Sequence, residues 1–198
     1  MKKNATCVAL KNVLIVKGMD ASSWLLFIYQ LPASPSTHRA YAWRKLKSLG
    51  ALYLQNSICL LPVETSIEKK LVELRSEIAG RGGEAKILHI SMNEQNEREA
   101  VLALFESQMN DEYGEFLEQC SDFHAELEKE RKKSHFTFGE LEENEAELNK
   151  LRLWIPKLLG RDYFEVSIRR KAIEALQSCE KDFEVFQTEV ESHFSGAG

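Results

Sequence analysis

The spacing of apolar positions changes near residue 92, from short dense runs to a helical three-and-four repeat. Residues 24–31, Trp-Leu-Leu-Phe-Ile-Tyr-Gln-Leu, are almost all apolar and end at Pro32, which predicts a strand covered on both faces. The loop over residues 33–38 offers Ser36 or Thr37 as the N-cap of a helix reaching Leu49, with Gly50 placed to close it. A second apolar run over residues 51–61 predicts one strand, stopped by Pro62. An amphipathic helix over residues 65–78 ends in Gly80-Arg-Gly-Gly83, and residues 84–92 predict a third strand. Strand, helix, strand, helix, strand in this order predicts a ferredoxin-like α/β sandwich, with the sheet on one side and helices on the other. Such a sheet needs a fourth strand, and three sources are open: the N-terminal leader, the far C-terminus, or a partner chain.

From Asn93 the pattern is helical throughout. Tyr113, Phe116, Cys120, Phe123 and Leu127 recur three and four apart, a seam of coiled-coil type that the charged stretch 129–133 breaks. Thr137 and Glu140 form a capping box, and Phe136 can staple to Leu141. Pro156 is expected to kink or end that helix. A last helix carries Ala172, Leu176, Cys179, Phe183, Phe186 and Val190. The expected class is α+β: a leader over residues 1–18, a sheet domain over 19–92, and an acidic antiparallel helical bundle over 93–198. Met19 is a candidate start with the leader as an upstream extension. The alternative for the leader is an edge strand around residues 8–16.

Charge sharpens this division. Residues 1–92 hold 13 Lys and Arg against 6 Asp and Glu, whereas residues 93–198 hold 13 against 25, which together give the net −5 of the chain. No acidic residue stands between Asp20 and Glu64, yet Arg39, Arg44, Lys45 and Lys47 fall within one short helical stretch. A basic segment in an otherwise acidic chain points to an anionic partner, and such cations can neutralise phosphates. On a helical wheel Ala42, Trp43, Leu46 and Leu49 share the face expected to pack on the sheet. Arg44 and Lys47 lie opposite, and Lys45 is further round. Arg39 sits at the azimuth of the apolar stripe, where it either reaches past the sheet edge to a ligand or braces the loop. Tyr41 and Tyr53, near the basic segment, are candidates to stack on nucleic acid, with core packing expected for at least one. The opposing reading of this helix is a plain solvated basic face.

With 43% hydrophobic and 29% charged residues, the composition is that of a soluble globular chain. Cys7, Cys59, Cys120 and Cys179 have no paired spacing, which fits free thiols in a reducing compartment. No apolar stretch has the length to span a bilayer. Cys120 and His124 have the spacing of two ligands on one helix face, but Cys120 belongs to the apolar seam, so a core thiol beside a surface histidine is the reading adopted and no metal or cofactor is expected. For an oxyanion, the bundle offers only the basic clusters at 129–133 and 169–171. Gly80-Arg-Gly-Gly83 lacks the context of a phosphate loop, and no Ser or Cys stands in a nucleophile elbow. A conventional helix-turn-helix signature is also lacking.

Several separated stretches together resemble one family. These are Arg39-Ala-Tyr-Ala-Trp43-Arg44-Lys-Leu, then Leu49-Gly-Ala-Leu-Tyr-Leu-Gln-Asn-Ser57, Phe136-Thr-Phe-Gly-Glu-Leu-Glu-Glu-Asn144, Lys150-Leu-Arg-Leu-Trp154 and Arg161-Asp-Tyr-Phe164. Their order resembles the N-terminal domain of ChrB proteins, regulators attached to chromate-resistance determinants. The resemblance implies a cytoplasmic, DNA-binding repressor of a chromate efflux operon. It also implies a sheet domain similar to the middle domain of PaaX-type repressors and to the small CRISPR-associated endoribonuclease fold. That nuclease chemistry uses an Asp at the end of the first strand, where this chain has Tyr29-Gln30-Leu31-Pro32, so no enzymatic activity is expected. Full-length ChrB proteins continue into a domain linked to chromate sensing. The expectation here is therefore a stand-alone module or a regulator whose sensor is a separate protein. The expected working unit is a homodimer contacting promoter DNA through Arg39, Arg44, Lys45 and Lys47. The alternative is a non-catalytic interaction module whose acidic helices dock a separate sensor or partner.

Overall fold

A computed structural model describes residues 22–195. The leader, its proposed start at Met19, its alternative as an edge strand, and Cys7 all lie outside the described residues. The described chain forms two compact units. One runs to Gln108 and takes in Arg161–Glu165, and the other comprises Met109–Gly160 and the residues from Val166 onward.

The first unit carries β1 (Ser23–Gln30), α1 (Ser36–Ser48), β2 (Leu52–Gln55), β3 (Ile58–Pro62), α2 (Thr65–Gly80) and β4 (Glu84–Ser91). The four strands form one antiparallel sheet in the order β2-β3-β1-β4, so the chain follows a split β-α-β path. The fourth strand therefore comes from within the segment read as a single strand over residues 51–61. That run is a hairpin, turned at Asn56-Ser57, where Ser57 takes φ 67°. A two-residue turn needs a positive φ to match the twist of its strands, and Asn-Ser is a weaker signal for it than Asn-Gly. Neither the leader, the C-terminus nor a partner is needed to complete the sheet.

β1 is central, pairing with β3 over Trp24–Ile28 and with β4 along its whole length. Its odd residues Leu25, Phe27 and Tyr29 pack with Ala42 and Leu46 of α1 and Ile67, Leu71, Leu74 and Ile78 of α2. Trp24, on the opposite face, packs with Leu52, Leu60, Val101 and Phe105. The Trp24 and Phe105 rings stack with centroids 5.4 Å apart, and Phe164 closes the cluster. Helical cover thus falls on both faces, not on one as the two-layer expectation had it. Double cover is the reason β1 shows no alternation in its sequence.

The helices are α3 (Gln95–Lys133), α4 (Phe138–Arg161) and α5 (Arg169–Ser195). In the second unit, Tyr113, Phe116, Cys120, Phe123 and Leu127 of α3 meet Leu148, Leu151, Ile155 and Leu158 of α4 and Ala172, Cys179, Phe183, Phe186 and Val190 of α5. The helix is not interrupted at 129–133. It continues to Lys133, and Ser134 at φ 55° makes the turn. Thr137 caps α4, its hydroxyl accepting from the Glu140 amide at 3.2 Å. Pro156 does not end α4, which runs one further turn to Arg161. The ring removes one amide donor, yet Ile155 and Leu158 on either side are buried, and that packing outweighs the loss of one bond.

Candidate nucleic-acid interface

The basic helix α1 is fixed at its C-terminal end. Gly50 adopts φ 69°, and its amide donates to the Lys47 carbonyl at 3.0 Å while Ala51 donates to Leu46 at 3.1 Å. This is a Schellman closure, which requires a residue free to enter the left-handed region. A Cβ at Gly50 would stand 2.9 Å from Cβ of Arg161 and 3.1 Å from the Tyr163 ring. The Tyr163 hydroxyl donates to the Leu49 carbonyl at 2.6 Å, and burial pushes its pKa up to about 12, so the donor stays protonated. At the other end Pro35 occupies the N-cap, in place of Ser36 or Thr37, and no side chain caps the first turn. No carboxylate lies in that turn either.

Only Ala42 and Leu46 of α1 are fully buried. Trp43, expected on the packing face, is 46% exposed. The physical reason is a narrow apolar stripe: each residue turns the helix by about 100°, which carries Trp43 off the axis set by Ala42 and Leu46. Arg39, Arg44, Lys45 and Lys47 are all exposed. None of the four makes an ion pair with any described residue. Arg39, which shares a flank with Trp43, is exposed rather than tucked into the stripe, and it lines a cleft of about 510 Å³ with Pro32, Gly82 and Gly83. Gly83 is required there, because a Cβ would lie 2.5 Å from the Gln30 carbonyl oxygen.

The two flanks of α1 differ. On one, Lys45 lies over the Tyr41 ring at 5.5 Å with Arg81 at 4.2 Å, and the Tyr41 hydroxyl donates to Glu77 at 2.8 Å. Lys45 shares a groove with Lys70, but also with Glu73 and Glu77, so this side is electrically mixed. Tyr41 is occupied by these partners and is not a free stacking ring. Tyr53 is half-buried with its hydroxyl 3.3 Å from that of Tyr29, and burial raises its pKa, which makes it a core residue. On the other flank, Arg39, Trp43, Arg44 and Lys47 form an exposed surface contributed by a helix without a single carboxylate. Lys47 Nζ sits 5.4 Å from the Trp43 ring, an arrangement in which an aromatic face and cations are offered together. Trp43 is the residue that sequence reasoning misplaced. Its one available signal was its position four residues from both Arg39 and Lys47.

Several cations of the basic clusters of the bundle already have carboxylate partners. Lys129 pairs with Glu126 at 2.6 Å, Lys133 with Glu130 at 3.3 Å, and Arg170 with Glu174 at 3.4 Å. These paired cations have less to offer an oxyanion than unpaired ones. Glu130, His135 and Glu140 bring three potential ligand atoms within 4.8 Å of one another. Two ammonium groups already neutralise the buried Glu130, Lys133 at 3.3 Å and Lys129 at 3.9 Å, and no metal is assigned there. Cys120 is buried in the seam, as expected. His124 is not simply a surface residue, since its Nδ1 is 2.7 Å from Asp182 Oδ2. Among the described residues no helix is long and apolar enough to cross a membrane.

The class this architecture defines is α+β: one unit is an antiparallel sheet with helical cover that presents an acid-free basic helix, and the other is helical. The chain belongs to the family described as "Protein ChrB, N-terminal", which matches residues 39–196. The protein ChrB of Cupriavidus metallidurans is 30% identical over 106 residues, 54% of this chain. The matched stretch spans 32% of the length of that relative. No solved structure matches the chain.

Proposed function

We propose that this chain is the DNA-binding module of a chromate-resistance-type transcriptional regulator, contacting promoter DNA through α1. The carrying observation is that Arg39, Arg44, Lys45 and Lys47 are exposed on an acid-free helix with no carboxylate partner. A cation that already has a carboxylate partner gains little from a phosphate, whereas an unpaired one releases counterions on binding. Family membership supplies the biological setting of the reading. Arg39, Trp43, Arg44 and Lys47 form the principal contact, and Lys45 adds charge at the mixed flank. The first turn of α1, which no side chain caps, lies beside Arg39 and carries the positive end of the helix dipole. The module acts without catalysis in the cytoplasm, as a dimer that presents two such helices to a two-fold site. Chromate sensing belongs to a further domain or a separate protein.

Fluorescence anisotropy of a labelled promoter fragment, against a scrambled duplex at two salt concentrations, tests the reading. Preference for the promoter, weakening with salt, supports it. Absence of binding at low salt overturns it and favours the alternative, a module whose acidic helices dock a partner protein.

A further inference from the structure

The core of the bundle holds a polar line that the DNA reading does not use. Cys120 on α3 and Cys179 on α5 are free, buried thiols of one core. Cys179 Sγ also lies 3.6 Å from the Cys120 carbonyl oxygen and 3.5 Å from Nε2 of His124. Cys120 and His124 are one turn apart on α3, so both face the same part of α5. The Nδ1 of His124 is engaged by Asp182 at 2.7 Å, and Arg131 Nη1 holds the other Asp182 oxygen at 2.8 Å. Arg131 is itself fixed by Glu189, to which its Nε donates at 2.7 Å. A carboxylate on Nδ1 orients the ring and leaves Nε2 facing the thiol as a proton acceptor.

The neighbouring Cys179 side chain holds the Cys120 thiol below its ordinary pKa, against the opposing effect of burial. The Cys120 side chain, together with burial, pushes Cys179 up. The two thiols therefore differ in readiness to ionise. Ligation of a metal is a poorer account: among the described residues, the group with three ligand atoms in mutual reach is Glu130, His135 and Glu140, not this one.

We propose that Cys120 and Cys179 are a reversible dithiol–disulfide pair oxidised by a hydroperoxide, with His124, oriented by Asp182, as the base. The Cys120 thiolate attacks one peroxide oxygen and the O–O bond breaks. The departing hydroxide takes up the proton released by Cys120 and leaves as water. His124 Nε2 then accepts the Cys179 proton, and the Cys179 sulfur attacks the Cys120 sulfenic acid. The S–S bond forms, the S–O bond breaks, and the hydroxide leaves as a second water with the proton from His124. Two thiols and one hydrogen peroxide give one disulfide and two waters, with both sulfurs oxidised and the peroxide reduced. The His124 side chain is 34% exposed, which gives a small oxidant an approach to a pair otherwise enclosed.

The test treats the full chain, in a Cys7→Ser background, with hydrogen peroxide, followed by alkylation in denaturant, intact mass measurement and a non-reducing digest. The expected result is a loss of two hydrogens, a peptide pair joined through Cys120 and Cys179, and recovery of both thiols with dithiothreitol. Cys59, buried in the sheet unit with its pKa pushed up to about 12, serves as the internal control and stays alkylatable. Cys179→Ser should trap a dimedone-reactive sulfenic acid on Cys120. In the folded His124→Asn variant, disulfide formation should slow about a hundredfold. Oxidation of Cys59 as fast as the pair, or sulfinic acid on single cysteines without the cross-link, would overturn the proposal. An unchanged rate in His124→Asn would overturn the role of the base.

Discussion

In the bundle, Arg131 is held by Glu189, Asp182 and Glu128 at 2.7, 2.8 and 3.3 Å, and Lys129 and Lys133 each have a carboxylate partner. On α1, Arg39, Arg44, Lys45 and Lys47 are exposed and make no ion pair with a described residue, although Lys45 shares its groove with Glu73 and Glu77. Both regions are rich in cations, yet Lys129, Arg131 and Lys133 are balanced by carboxylates of the fold, whereas those of α1 face solvent without an ion pair. The contrast teaches that net charge is a poor guide to function, because a cation such as Arg131 is part of the structure of the bundle. A charge without an internal partner is the one available to an external anion.

The largest break in this comparison is between the two tryptophans of the sheet unit. Trp24 is 1% exposed and stacks on Phe105, so Trp24→Ala should lower unfolding free energy by about 4 kcal/mol. Trp43→Ala, at an exposed site, should cost about 1 kcal/mol or less. Urea unfolding of both variants reads the difference, and equal losses would return Trp43 to the core.

The next comparison concerns arginines. Arg131→Ala leaves Asp182 and Glu189 without their common partner and should destabilise by about 3 kcal/mol. Arg44→Ala has no ion pair to break and should change stability by about 0.5 kcal/mol or less. A comparable loss at Arg44 would show that α1 carries structural charge after all.

A smaller effect is expected with pH. Burial opposes ionisation of Asp182, but hydrogen bonds from His124 and Arg131 hold its carboxyl below the ordinary value in the fold. On unfolding it returns to about 3.9. Below that value the unfolded chain binds more protons, so this contribution is present at neutral pH and is lost as pH falls through the folded value. Asp182→Asn should therefore be less stable than wild type at pH 7. The two should converge only as the pH falls below about 3.9 and through the lower folded value, which unfolding midpoints measured across this range would show.

Much of the fold was legible because dense apolar runs and caps are local signals. β1, α2, the Thr137 cap and the seam of α3 all lie where their residues predict. The hairpin at Asn56-Ser57 was hidden because the run over residues 51–61 is apolar through both strands, and the turn rests on one serine at positive φ. The cover over Trp24 was hidden for a different reason: Val101 and Phe105 belong to a helix whose pattern serves two cores in succession. At the candidate site, sequence identified the basic residues but not their surroundings. It could not show that Tyr41 is held by Glu77 and Arg81, or that Trp43 stands exposed among the cations, because both follow from how far round the helix the sheet reaches.

The most direct test of the central claim is the salt dependence of promoter binding by wild type and by the Arg44→Ala/Lys47→Ala double variant. Loss of two phosphate contacts should weaken binding and reduce the slope of log affinity against log salt by about 1.8, with the thermal midpoint unchanged. An unchanged slope and affinity in the folded variant would contradict the account and remove α1 from DNA recognition.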